Sequence, residues 1–100
     1  MTEMTSRRAL LYIPGDDPRK IAKAATLDVD CICLDMEDGV ALNRKQAARE
    51  TIARALVEQD FGRAERLARI NPIGSGFEMD DLATVLPARP DGIVLPKVED

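Results

Sequence analysis

Cys31-Ile32-Cys33-Leu34 running into Asp35-Met36-Glu37-Asp38-Gly39 is the stretch that decides the fold. An apolar run of four residues is too short for a buried helix and suits a strand covered on both faces, as in a parallel α/β sheet. The polar cluster that follows sits where such sheets keep their chemistry, just past the carboxyl end of a strand. The same pattern recurs three more times: Ala9–Ile13 into Pro14-Gly15-Asp16-Asp17, Leu67–Ile70 into Asn71-Pro72, and Ile93–Leu95 into Pro96-Lys97.

Helices are expected between these strands. Asp16-Asp17-Pro18 offers an N-cap and a proline at the first helical position, so a helix is predicted from about Pro18 to Thr26, with Ile21, Ala22, Ala24 and Ala25 inward. Asn43 is read as the cap of a second helix whose apolar positions are Ala47, Ala48, Ile52, Leu56 and Val57. A short third helix is expected from Asp80 to Leu86, stopped by Pro87 and Pro90. Glu65-Arg66 leads into the third strand and Asp91-Gly92 opens the fourth. Strands alternating with helices imply a parallel, right-handedly wound sheet.

The 100 residues, 45% hydrophobic and 32% charged, suffice for one compact core. A closed (β/α)8 barrel needs about 250 residues. Residues 1–100 therefore read as the N-terminal half of a TIM-barrel domain, with about its first four strands. No capping helix follows the fourth strand, so truncation is expected, leaving an open strand edge and an uncovered apolar face.

A net charge of −4 argues against nucleic-acid or membrane-surface partners. No secretory leader or membrane span is evident, which suggests a cytoplasmic protein. Cys31 and Cys33, two apart on one strand face, fit neither a CxxC redox pair nor a metal site and are read as buried free thiols.

Asp35, Glu37 and Asp38 crowd three carboxylates into four residues, which calls for a cation, an arginine or backbone N–H groups; a solvated turn with one capping acid is the plainer alternative. Arg69, inside an otherwise apolar strand, needs an anion, either a substrate carboxylate or one of those same acids. Pro14-Gly15-Asp16-Asp17-Pro18 lets backbone approach a ligand ahead of a helix, without dinucleotide or P-loop spacing. Arg19 and Lys23, four apart on one helix face, could hold a phosphate or simply face water. Tyr12 ends the first strand, where its hydroxyl reaches a ligand or solvent. Lys97 stands like Arg69 at a strand end, or pairs with Glu99 or Asp100.

Taken together, Arg8-Ala9-Leu10-Leu11-Tyr12-Ile13-Pro14-Gly15-Asp16-Asp17, Leu34-Asp35-Met36-Glu37-Asp38-Gly39-Val40, Lys45-Gln46-Ala47-Ala48-Arg49, Arg69-Ile70-Asn71 and Leu95-Pro96-Lys97-Val98-Glu99 resemble the citrate lyase β-subunit-like family of CoA-ester lyases. Within the HpcH/HpaI aldolase superfamily the likeness is nearest to citramalyl-CoA lyases, and it runs from about Arg7 to the last residue. It implies a TIM barrel that cleaves a 3-hydroxyacyl-CoA, such as citramalyl-CoA or malyl-CoA, reversibly to acetyl-CoA and a 2-oxo acid with Mg²⁺. Arg69 then corresponds to the catalytic, substrate-binding strand arginine. Tyr12, Arg19 and Lys23 fall where relatives contact the CoA portion, and Glu37 and Asp38 would support the metal through water or Arg69. The resemblance places the direct metal ligands on later strands and a catalytic aspartate on a neighbouring subunit, so none lies within residues 1–100, and a trimeric or hexameric homo-oligomer is expected. Two rivals stand: a superfamily aldolase acting on free oxo acids, which leaves Arg19 and Lys23 without a phosphate, and a flavodoxin-like phosphoacceptor module, which leaves Arg69 without a role.

Overall fold

The computed structural model describes residues 9–96; Lys97, Glu99 and Asp100 lie outside them. Four strands, β1 (Leu10–Pro14), β2 (Cys31–Asp35), β3 (Glu65–Arg69) and β4 (Gly92–Val94), alternate with three helices, α1 (Pro18–Ala24), α2 (Lys45–Glu58) and α3 (Glu78–Val85). All strand pairs are parallel and the sheet order is β1-β2-β3-β4. Each strand adds beside its predecessor, as in a barrel. A flavodoxin-like sheet would place β1 between β2 and β3, so the phosphoacceptor alternative is overturned.

Register aligns Tyr12 with Cys33 and Leu67, and two residues on it aligns Pro14 with Asp35 and Arg69. Because strand side chains alternate, these residues share one face. Ile13, Ile32, Leu34 and Ala68 take the other and pack against Ile21 and Ala24 of α1, Ile52 and Leu56 of α2, and Val85 of α3. Only β2 is buried at every position; β1, β4 and even the internal β3 are part-exposed, contrary to the expectation of strands covered on both faces.

Asp17 caps α1 as expected, its carboxylate accepting from Lys20 N at 3.1 Å with Pro18 next in line. Asn43 does not cap α2. It lies in a 3-10 turn, Leu42–Arg44, that feeds the helix without a side-chain cap. The buried stripe of α2 is Lys45, Ala48, Arg49, Ile52 and Leu56, whereas Val57 is 71% exposed. Ala48, Ile52 and Leu56 face inward as expected, while Lys45 and Arg49 complete the stripe in place of Ala47 and Val57 because a buried stripe can carry charged members. Glu65 and Arg66 belong to β3 itself. Helix α3 begins two residues earlier than predicted, and Pro87 falls in a 3-10 turn that continues from it.

Candidate active site

The carboxyl end of β2 folds back on itself because Asp35 supplies the acceptor. Its Oδ1 takes the N–H of Glu37 at 2.8 Å and that of Asp38 at 3.3 Å, an Asx-type turn. Gly39 then adopts φ +78°, where a side chain is strained. Burial pushes the Asp35 carboxyl above its ordinary value, against the opposing pull of the Glu37 N–H and the Arg69 guanidinium.

Arg69 reaches this turn from the end of β3. Its Nη2 lies 2.8 Å from Glu37 Oε1, and its Nη1 lies 3.4 Å from Asp35 Oδ2 and 3.5 Å from Asp38 Oδ2. The Glu37 oxygen is buried and out of line for a hydrogen bond, so that contact is an ion pair. The Tyr12 ring sits 5.8 Å from the guanidinium carbon, within cation–π range. An open cleft of about 520 Å³ lies over these groups, lined by Tyr12, Ile13, Pro14, Asp35, Asp38, Gly39 and Arg69. Side-chain exposure of Arg69 is 22%, enough for a ligand in the cleft to reach it.

The structure thus brings Tyr12, Glu37, Asp38 and Arg69 together and adds Asp35, read from sequence only as one acid of three. Arg19 and Lys23 are exposed on α1 and do not line this cleft. Lys23 borders a separate hollow of about 150 Å³ with Lys20, Leu11 and Leu27. Gly15 serves packing rather than ligand approach: a Cβ there would collide with the Ile52 side chain and stand 3.0 Å from the Asp35 carbonyl, to which Gly15 N donates at 2.7 Å.

Four buried polar residues, Lys45, Arg49, Asn71 and Asp81, escaped sequence reasoning as site supports. Lys45 Nζ donates to the carbonyls of Met36 at 2.8 Å and Glu37 at 3.2 Å. Arg49 Nε meets Asp81 Oδ1 at 2.7 Å, and Asp81 Oδ2 accepts from Asn71 N at 2.9 Å and Asn71 Nδ2 at 2.8 Å. The discoverable signal was spacing, since Lys45 and Arg49 fall in one column with Ala48, Ile52 and Leu56. Cys31 and Cys33 are buried and not joined in a disulfide, as expected, and Cys31 Sγ donates to Glu65 Oε1 at 3.3 Å. Burial, reinforced by the Asp35 charge, pushes the Cys33 thiol up to about 12.

Among the described residues no group of three His, Cys, Asp or Glu side chains could hold a metal ion. The acids at the end of β2 are turned toward Arg69 and the backbone, so these residues alone do not fit a divalent cation. Among the described residues no helix is long and apolar enough to cross a membrane.

Comparison with known proteins places this geometry. Residues 8–100 match the HpcH/HpaI aldolase/citrate lyase family model. The chain is 48% identical over 95 residues to the mitochondrial citramalyl-CoA lyase of Homo sapiens, covering 93% of this chain and 28% of that protein. It is 37% identical over 93 residues to the citrate lyase subunit beta of Leuconostoc mesenteroides subsp. cremoris, covering 93% of this chain and 31% of that protein. A Mycobacterium tuberculosis CitE structure in complex with magnesium, acetoacetate and coenzyme A superposes with a TM-score of 0.71 at 33% identity, over 93% of this chain and 33% of that one. The chain thus spans about a third of the relatives it matches. The barrel-ordered sheet, the arginine-linked acidic turn and the match over residues 8–100 all agree: the chain belongs to the HpcH/HpaI aldolase/citrate lyase family.

Proposed function

We propose that the protein containing this chain is a Mg²⁺-dependent CoA-ester lyase, cleaving citramalyl-CoA to acetyl-CoA and pyruvate, or malyl-CoA to acetyl-CoA and glyoxylate, reversibly. Residues 1–100 supply the first half of its (β/α)8 barrel. The observation that carries the reading is Arg69, pinned by the acidic turn at the strand ends yet open to the cleft beside Tyr12. The likeness to citramalyl-CoA lyases supports the substrate class, and CitE complexes with magnesium support the cofactor. Metal ligands, a catalytic aspartate and a trimeric or hexameric assembly are assigned to the remainder of the protein, and the compartment to the cytoplasm.

In retro-aldol cleavage the bond between the hydroxyl-bearing carbon and the thioester α-carbon breaks. The hydroxyl loses its proton and becomes a carbonyl, while the electron pair forms an enolate that is protonated to acetyl-CoA. A magnesium ion, which would have to be held by residues beyond these 100, would supply positive charge on the oxo-acid side. This chain's contribution is orientation and charge: Arg69 holds the substrate carboxylate or developing oxyanion in a fixed fork. Glu37 and Asp38 restrain that fork, and Tyr12 walls the cleft. Arg19 and Lys23, exposed and without side-chain partners among the described residues, are assigned to the CoA phosphates.

Steady-state cleavage by the full-length enzyme tests this. Arg69→Ala lowers kcat/KM by at least about 10²-fold, roughly 2.7 kcal/mol of transition-state stabilisation; near-normal turnover reduces Arg69 to a structural ion pair. Alanine at both Arg19 and Lys23 raises KM for the CoA substrate with little change in kcat. An unchanged KM removes the phosphate role and favours an aldolase acting on free oxo acids.

A further inference from the structure

Lys45 is a costly residue where it stands. It is 6% exposed, and among the described residues no carboxylate lies within ion-pair distance of it. It also opens α2, a helix with no acid in its first turn, so its charge faces the positive end of the helix dipole. Among the described residues, two backbone carbonyls and the Phe77 ring, 5.8 Å away, compensate. An apolar side chain of the same length would avoid the desolvation.

The two carbonyls explain the arrangement. Met36 and Glu37 sit in the turn after β2, and Met36 is fully buried, so a carbonyl there without a donor would be destabilising. Asp35 already fixes the turn's N–H groups at Glu37 and Asp38. Lys45 fixes its carbonyls from the opposite side. With its N–H and its carbonyl both held, the Glu37 backbone is fixed at the point from which Oε1 stands 2.8 Å from Arg69 Nη2, an oxygen that no hydrogen bond of its own aligns.

We propose that Lys45 is a positioning residue of the active site: by clamping the Met36 and Glu37 carbonyls it sets the Glu37 carboxylate against Arg69 and so aims the guanidinium into the cleft. Its consequence for catalysis rests on the lyase reading; its consequence for geometry does not.

Two measurements on the full-length protein test it. In a kinetic cycle, Lys45→Met lowers kcat about 10-fold with KM for citramalyl-CoA within about 2-fold, and has less than about 2-fold effect once Glu37→Gln is present, because both act through one carboxylate. Independent, multiplying effects overturn the proposal. In a crystal structure of the Lys45→Met protein, Glu37 leaves its contact with Arg69; a turn and ion pair unchanged from the parent protein overturn it equally. Should Lys45→Met fail to fold, Lys45→Gln, which keeps a shorter neutral donor, is read by the same two criteria. If the parent enzyme cleaves no CoA ester, or Arg69→Ala is silent, the lyase reading falls while the crystal structure still decides the role of Lys45.

Discussion

Replacing Asp81 with leucine removes the centre of a buried network whose cost can be worked from its geometry. Asp81 is fully buried and carries three charge-assisted bonds: Arg49 Nε at 2.7 Å, and the backbone and side-chain amides of Asn71 at 2.9 and 2.8 Å. Without it the Arg49 guanidinium, whose side chain is 7% exposed, keeps among the described residues no carboxylate partner, only Gln46 Oε1 at 2.8 Å, the Phe77 carbonyl at 3.4 Å and the Phe77 ring at 6.0 Å. Breaking a buried pair from one side costs about 3–5 kcal/mol, because a charge is left uncompensated. Two orphaned Asn71 donors push the expected value to the upper end of that range. Pairing Asp81→Leu with Arg49→Met removes the stranded charge, so the double variant should recover roughly 2 kcal/mol relative to additivity. Urea unfolding of the full-length protein and its three variants, read by far-UV circular dichroism, measures all four corners of the cycle. An Asp81→Leu loss under about 1 kcal/mol, or strict additivity in the double variant, refutes the reasoning.

Gly15→Ala should destabilise by about 1–3 kcal/mol in the same assay, since its Cβ would overlap Ile52 and press on the Asp35 carbonyl; a neutral result would show that the β1 loop yields freely. Cys33, its thiol raised to about 12 by burial, should resist iodoacetamide at pH 8 until denaturant is added, and alkylation at the unfolded rate would contradict that assignment. The sign for stability follows: the folded chain keeps a proton that the unfolded chain loses near pH 9, so this contribution is intact below pH 9 and declines as pH rises toward 12. Alanine at Cys33 should flatten that alkaline decline, and an unchanged slope would assign it to other groups. The Asp91 carboxyl is held below its ordinary value by the Arg66 side chain, so Asp91→Asn should cost under about 1 kcal/mol at pH 7, the deficit vanishing as pH falls below about 3.8.

What could be read from the sequence followed from how local each signal is. The β2 run and its acids announced a strand and a strand-end cluster because both lie within one contiguous stretch. Arg69 stood out as a charge between Ala68 and Ile70, each fully buried. Asp17 before Pro18 marked a helix start that needs no distant partner. Arg49 and Asp81 carried no such mark, since they are 32 residues apart and become a core pair only after α2 and α3 pack. A charged residue seen alone is assigned to solvent, and that default put Ala47 and Val57 beside Ala48, Ile52 and Leu56 where Lys45 and Arg49 belong. Gly15 misled for the same reason: what requires its missing side chain is Ile52, far away in sequence.

The charge balance of the cleft joins these threads. One guanidinium faces Asp35, Glu37 and Asp38 within 3.5 Å, so with all three carboxyls ionised the turn remains net negative. Asp35 registers the crowding, its carboxyl raised by burial with the Asp38 charge adding to the shift. A substrate carboxylate approaching Arg69 therefore meets repulsion from the groups that hold the arginine in place. Two physical resolutions exist: the ligand displaces a carboxylate, or further positive charge enters beside the turn. Asp38 is the carboxylate that can yield, at 75% side-chain exposure and the longest of the three contacts. Glu37 cannot swing out so readily, because Lys45 and Asp35 hold its backbone on both sides. Under the proposed lyase reading both resolutions apply together: the substrate carboxylate displaces Asp38 from the exposed side of Arg69, and a cation held by residues beyond these 100 would offset the acids that remain.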